Sequence, residues 1–358
     1  MLKVIHAADL HLDSPFSGLP PAQAAQRREE LRQLPQRLAE LANQRQADLV
    51  LLAGDLLDSA RCTRETVQEF ARTLGRIQAP VFIAPGNHDP YTPNSPYAQP
   101  IWPDNVHIFT SPVPEGVHLE ELGCTVYGAA FTREHPERGL LDGFCAGPGA
   151  GLNLMVAHGN TMGEDYGGIT SAQIRDSGLN YLALGHIHQG SGLQRAGDTF
   201  WAYPGCPEGR GFDETGDKGV LEVTLDMGRV QAQFLSLCGR RYEILDVDVT
   251  DARDLTDRVE RELPLASGEH IFRVRLTGQA DISPEQLRHL EQALAPRCYA
   301  LELQDRTRTP QRVWERVGED SLTGLFLSAM AAQPEGELRE LAVRFGLSAL
   351  EQGEDVSP

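Results

Sequence analysis

Five short segments of the chain each place carboxylate or imidazole side chains directly after an apolar run. They are Asp9-Leu10-His11, Gly54-Asp55-Leu56-Leu57-Asp58, Gly86-Asn87-His88-Asp89, His158-Gly159-Asn160 and Gly185-His186-Ile187-His188. Imidazole and carboxylate together, without thiolate, suit borderline divalent cations such as manganese, iron or zinc. Of the eleven histidines, His11, His88, His158, His186 and His188 fall in these segments. Two cations ~3.5–4 Å apart need a carboxylate between them, and Asp55 is the natural bridge. Any one segment alone reads more simply as a capped turn or an incidental His-x-His. In this order, each at a strand end, the set defines a site, because open α/β sheets carry their chemistry beyond the carboxyl ends of their strands. Gly54, Gly86 and Gly185 are expected to turn the backbone sharply, so that the next side chain projects over the sheet edge.

The elements that must hold these segments alternate. Apolar runs over 2–6, 48–53 and 81–84 predict strands, and the stretches 23–45 and 63–77 predict helices between them. Further strands are expected over 106–109, 125–128, 153–157, 181–184, 219–225 and 231–236, with helices becoming sparser. The fold class is α/β, and a sandwich of two sheets flanked by helices fits better than one singly wound sheet. Residues 1–238 form the first expected domain. A second, over 239–310, reads strand (242–249), helix (254–263), strand (270–276), helix (284–294), strand (298–303), a small α+β unit. In 311–358, Leu322, Leu325, Phe326, Ala329 and Met330, then Leu338, Leu341, Ala342 and Phe345 after Gln333-Pro334, follow helical spacing. This helical hairpin either packs on its own domain or docks a partner. The Gly- and Pro-rich stretch 145–151 reads as a surface loop.

At 358 residues the chain is long enough for one large domain and a smaller one. No run approaches the ~18 apolar residues a membrane helix needs, and the first residues enter a strand with no apolar leader. A soluble, cytoplasmic protein without membrane contact is expected. Six scattered cysteines, none in a Cys-x-x-Cys pair, predict reduced thiols. With 32 basic and 51 acidic side chains, the net charge of −19 weighs against a simple nucleic-acid-binding module. A nuclease stays open, since carboxylates that collect divalent cations present local positive charge.

As a set, the five segments resemble the motifs of calcineurin-like metallophosphoesterases, over most of the first 210 residues. The resemblance implies two divalent ions: one held by Asp9, His11, Asp55 and His188, the other by Asp55, Asn87, His158 and His186. It makes His88 the catalytic histidine that assists the leaving group, and Asp58 the residue orienting it. It implies phosphodiester hydrolysis by a hydroxide that the metal pair activates, without a covalent intermediate. Ser59 after Asp58 and Asp89 after Asn87-His88 disfavour the protein-phosphatase branch. Residues 6–16 (HAADLHLDSPF), 203–208 (YPGCPE) and 218–220 (KGV) resemble SbcD/YhaO-type DNA repair exonucleases. That branch implies Mn2+, a 3′-to-5′ DNA exonuclease with some endonuclease activity, and a homodimer. It also implies a capping domain after the catalytic one, and a helical segment that docks on an SMC-like coiled-coil ATPase of SbcC type. The alternatives are a phosphodiesterase for cyclic nucleotides or other small phosphodiesters, and a metal-stabilised scaffold for the ATPase.

Outside the motifs, His6 is expected in the core or behind the ligands, and Asp13 either to cap the turn after His11 or to hydrogen-bond a ligand. Tyr91 and Tyr97 either stack on unpaired bases or pack their own loop. Arg61 and Arg64 could reach a phosphate, and Arg306, Arg308, Arg312 and Arg316 could form a basic stripe. His107, His118, His135, His270 and His289 carry no assigned role.

Overall fold

The computed structural model describes residues 1–58, 62–135, 139–147, 151–163, 165–226 and 228–352; Arg61 lies outside them. The chain divides into two compact units, Met1–Arg241 and Tyr242–Pro358.

The first unit holds strands β1 (Leu2–Ala7), β2 (Leu49–Leu52), β3 (Val81–Ile83), β4 (Val106–Ile108), β5 (Glu115–Leu119), β6 (Cys124–Gly128), β7 (Leu152–His158), β8 (Tyr181–Gly185), β9 (Gln194–Ala196), β10 (Thr199–Ala202), β11 (Gly219–Asp226) and β12 (Arg229–Ser236). They form two mixed six-stranded sheets, ordered β12-β11-β1-β2-β3-β4 and β5-β6-β7-β8-β10-β9. Strands β1 to β4 run parallel in the first sheet and β6, β7, β8 and β10 in the second. Val4, Leu49 and Leu51 face Val126, Leu154, Val156 and Ala183 across the sandwich. The alternate residues Ile5, Val50 and Leu52 face outward onto helices, against Leu31, Leu34, Leu38, Val67 and Phe70. On the far side Met155, Leu182 and Leu184 pack against Ile174 and Leu179. Burial on both faces explains why these strands read as unbroken apolar runs.

The single helix expected over 23–45 is two, Pro21–Arg32 and Leu34–Gln44, with Gln33 between them. Pro35 lacks an N–H and its ring would strike the carbonyl of the preceding turn, so it starts a new helix instead of continuing the old one. Strands β5, β9 and β10 were absent from the sequence expectation; β5 and β9 are short and largely exposed, without an apolar run to announce them.

The second unit carries a parallel sheet, β13 (Tyr242–Asp248), β14 (Ile271–Thr277) and β15 (Ala300–Asp305), crossed by helices Leu255–Glu260 and Pro284–Leu294. Val247, Phe272, Val274, Leu276, Leu290 and Leu294 make its core. Helices Leu322–Ala331 and Glu337–Gln352 then pack together around Leu327, Val343 and Leu347. The buried face is only partly the predicted stripe: Phe326 and Met330 pack against this cluster, but Leu322, Leu325, Leu338, Leu341 and Phe345 are exposed. A Cβ on Gly346 would lie 2.1 Å from the Phe326 ring, so this glycine admits the ring and sets which face turns inward. Of the arginines after β15, Arg306, Arg308 and Arg312 are exposed, while Arg316 pairs with Glu319 at 3.5 Å. Among the described residues no helix is long and apolar enough to cross a membrane.

Candidate metal centre

Because the central strands of each sheet are parallel, their carboxyl ends gather at one end of the sandwich. Asp9 and His11 follow β1, Asp55 follows β2, and Asn87 and His88 follow β3. From the facing sheet come His158, the last residue of β7, and His186 and His188 after β8. The loops after β1 and β2 stay zipped beyond the strands, with Asp9 N–H donating to Gly54 O, His11 N–H to Asp55 O and Leu12 N–H to Leu56 O, each at 3.0 Å. Asp9, His11, Asp55 and His186 adopt positive φ values of 55°, 44°, 51° and 108°. Such conformations cost a non-glycine residue about 1–3 kcal/mol, and they cluster where side-chain aim matters more than backbone ease.

Two of the three glycines act differently from expectation. Gly54 does turn the chain, with φ +78°. Gly86 and Gly185 do not have left-handed backbones; they are required for close approach. A Cβ on Gly86 would lie 2.3 Å from Asp55 Oδ1, and one on Gly185 would lie 1.8 Å from Ala53 O.

The predicted ligand residues meet. Asp9, His11 and His188 bring one donor atom each within 4.8 Å of one another, and so do Asp9, Asp55 and His158. His11 Nε2 lies 3.2 Å from His188 Nε2 and 3.8 Å from Asp55 Oδ2. His158 Nε2 lies 3.4 Å from Asp55 Oδ2 and 3.0 Å from Asn87 Oδ1. The other nitrogen of that ring, Nδ1, sits 2.9 Å from Ala53 O and so carries the proton, leaving Nε2 to face the cluster. The His186 ring is 5.2 Å from that of His158, and the backbone N–H of His186 donates to both oxygens of Asp9. His88 is exposed, its ring 5.0 Å from that of His11, and its backbone N–H donates to Asp55 Oδ1 at 2.8 Å. Half-buried Asp58 is held by its N–H on Leu12 O at 3.0 Å.

The electrostatics fit a pair of cations. Burial raises the Asp9 carboxyl to about 6; His158 and His188 counter this, while the Asp55 charge adds to it. Asp55 is opposed by burial as well, yet its contacts with His158 and His11 hold it well below the usual carboxylate range. Burial drives His186 down to about 4, with nearby His158 helping. For His158 burial is outweighed by Asp55, which lifts the ring to about 9. Two buried carboxylates ringed by imidazole nitrogens call for positive charge between them, and cations answer that need without protonating the ligands.

Other residues build the site around these side chains, and of them only Asp89 stands in a motif segment. Asp89 is fully buried and accepts from the N–H groups of Asp55 (3.1 Å), Leu56 (2.7 Å), Leu57 (3.1 Å) and Gly86 (2.8 Å) and from the Tyr97 hydroxyl (2.5 Å). It clips the β2 and β3 loops together. Tyr97 is therefore a packing residue, 4% exposed and stacked on Trp102, and is not available to a nucleobase. Tyr91 packs partly against the same core. Asp13 accepts from Arg32, Thr63 N–H and Thr66 Oγ1, tying the β1 loop to the start of helix Arg64–Leu74. His6 is buried between the sheets, on the Tyr181 hydroxyl (2.8 Å) and Leu184 O (3.2 Å), as a core group. Behind His188 stand Glu214 and Arg210; the glycine-dense stretch 205–216 around them was the one available signal. Cys206 neighbours both, but burial pushes its thiol up, so it stays protonated.

Comparisons with known proteins agree with this geometry. The family model "Calcineurin-like phosphoesterase" matches residues 2–190, more than half of the chain. The chain is 32% identical to the "Uncharacterized metallophosphoesterase YhaO" of Bacillus subtilis over 71% of its own length and 65% of that protein's. It is 25% identical to "DNA double-strand break repair protein Mre11" of Aeropyrum pernix, over 74% of this chain and 68% of the relative. The protein of the same name from Methanopyrus kandleri is 24% identical over 91% of this chain and 75% of the relative. With carboxylates and imidazoles from both sheets gathered where they could hold metal ions, and a matching family model over the segment that supplies them, the chain belongs to the calcineurin-like phosphoesterase family.

Proposed function

We propose that the protein is a Mn2+-dependent DNA nuclease, a 3′-to-5′ exonuclease with some endonuclease activity that serves DNA repair. It acts in the cytoplasm as a homodimer with an SMC-like coiled-coil ATPase. The observation that carries the reading is the exposed His88 ring beside a buried cluster of carboxylates and imidazoles. The similarity to proteins named for DNA double-strand break repair supports DNA as the substrate.

In this reading Asp9, His11, Asp55 and His188 would hold one ion, and Asp55, Asn87, His158 and His186 the other. The ions supply Lewis acidity, drawing the pKa of water toward ~7 and countering charge on the phosphate. His88 reaches from the rim to the leaving oxygen and gives it a proton, worth ~10²–10⁴-fold. Asp58 orients that ring. Residues 239–310 are the capping domain, and 311–358 the segment that meets the ATPase, through the exposed Leu322, Leu325, Leu338, Leu341 and Phe345.

A time course on end-labelled single- and double-stranded DNA with Mn2+ tests the reading. Wild type should yield a ladder that reports polarity, and His88→Ala should lose at least ~10²-fold in rate. Fast turnover of bis(p-nitrophenyl) phosphate with no cleavage of either DNA would overturn the DNA assignment and favour a small phosphodiester.

A further inference from the structure

His188 has a different environment at each ring nitrogen. Nε2 faces the donor cluster, 3.2 Å from His11 Nε2 and 3.9 Å from Asp9 Oδ1. Nδ1 lies 2.7 Å from Glu214 Oε1 and 3.0 Å from an Nη2 of Arg210. That same Nη2 donates to Glu214 Oε1 at 2.7 Å, and the Arg210 backbone N–H donates to Oε2 at 2.8 Å. The Glu214 side chain is 5% exposed, so this arrangement is a built one and not a surface encounter.

A neutral imidazole has one proton for two nitrogens, and a guanidinium can only donate. With the carboxylate present, the proton belongs on Nδ1 and the lone pair on Nε2 points into the cluster. Without it, Arg210 is the group facing Nδ1; Nδ1 must accept, and the proton moves to Nε2, where an N–H would occupy the direction a cation needs. We infer that Glu214 is a positioning residue that selects the metal-binding tautomer of His188 against the opposing pull of Arg210. The inference rests on the reading of His188 as a ligand.

The test uses full-length, metal-free protein labelled with 15N-histidine, the His188 signals being identified by their loss in His188→Gln. Wild type should show a protonated Nδ1 and a bare Nε2, and Glu214→Ala the reverse. Glu214→Met, which fills the same volume, should give the same reversal and serves if the alanine variant does not fold. Mn2+ titration followed by EPR should show one of two sites weakened ~10–100-fold in Glu214→Ala. Adding Arg210→Met to Glu214→Ala should restore part of that affinity, which loss of packing alone would not do. An unchanged tautomer in the Glu214 variants, or a double variant that binds no better than the single one, overturns the inference. If wild type takes up no Mn2+, the metal reading fails instead, and the tautomer measurement still decides the role of Glu214.

Discussion

Asp89 is fully buried, and it receives backbone N–H groups from both the β2 and β3 loops. An N–H deserted in the core costs about 1–3 kcal/mol. Asp89→Ala is therefore expected to lose at least about 3 kcal/mol in urea denaturation. Asp89→Asn, one of whose terminal atoms donates where the other accepts, should fall between the variant and wild type. The contrast with the ligands explains what was legible. Asp9, His11, Asp55, Asn87, His158, His186 and His188 announce themselves by residue type and by position after an apolar run. Asp89 and Glu214 work by accepting hydrogen bonds, from donors 32–34 residues away for the β2 loop and 26 for His188. Asp89 stands in the segment Gly86-Asn87-His88-Asp89, but no local pattern tells which groups either carboxylate accepts from. Gly86 and Gly185 mislead for a related reason: sequence reports that a Cβ is missing, and only the fold tells whether a turn or a close approach required it.

At the scale of elements, His6 shows one way the two sheets are joined. Its ring stands on β1 and bonds to Tyr181 and Leu184 of β8. Burial lowers it to about 3, with the Leu184 carbonyl pulling weakly the other way, against an ordinary value of 6.5. Between those values the unfolded chain takes up a proton that the folded one refuses, so the stabilisation is full above pH 6.5 and falls as pH drops toward 3. In His6→Gln the pH dependence of the unfolding free energy between pH 6 and 4.5 should be shallower by about 1.4 kcal/mol per pH unit, read from denaturation midpoints. The strands of the sandwich core were legible because burial on both faces writes a continuous apolar run. Exposed β5 writes none, and the terminal helices hid their inner face because apolar residues populate more than one side, leaving Gly346 and Phe326 to choose.

For the whole molecule, the net charge of −19 opposes a polyanion. On the proposed reading, duplex DNA should bind weakly in EDTA, with Kd above about 1 µM at physiological salt. Mn2+ should tighten it in the His88→Ala variant, where cleavage is suppressed; fluorescence anisotropy reads both. Tight binding in EDTA would place the DNA contact elsewhere than at the cations.

On the proposed reading the ligands are drawn from both sheets: Asp9, His11, Asp55 and Asn87 from one, His158, His186 and His188 from the other. A chain whose layers have not closed thus owns two half-sites and no whole one. Metal uptake becomes an assembly checkpoint, passed only by molecules whose sandwich has formed, so that a cell holding misfolded copies would still keep its hydrolytic chemistry confined to the well-made ones.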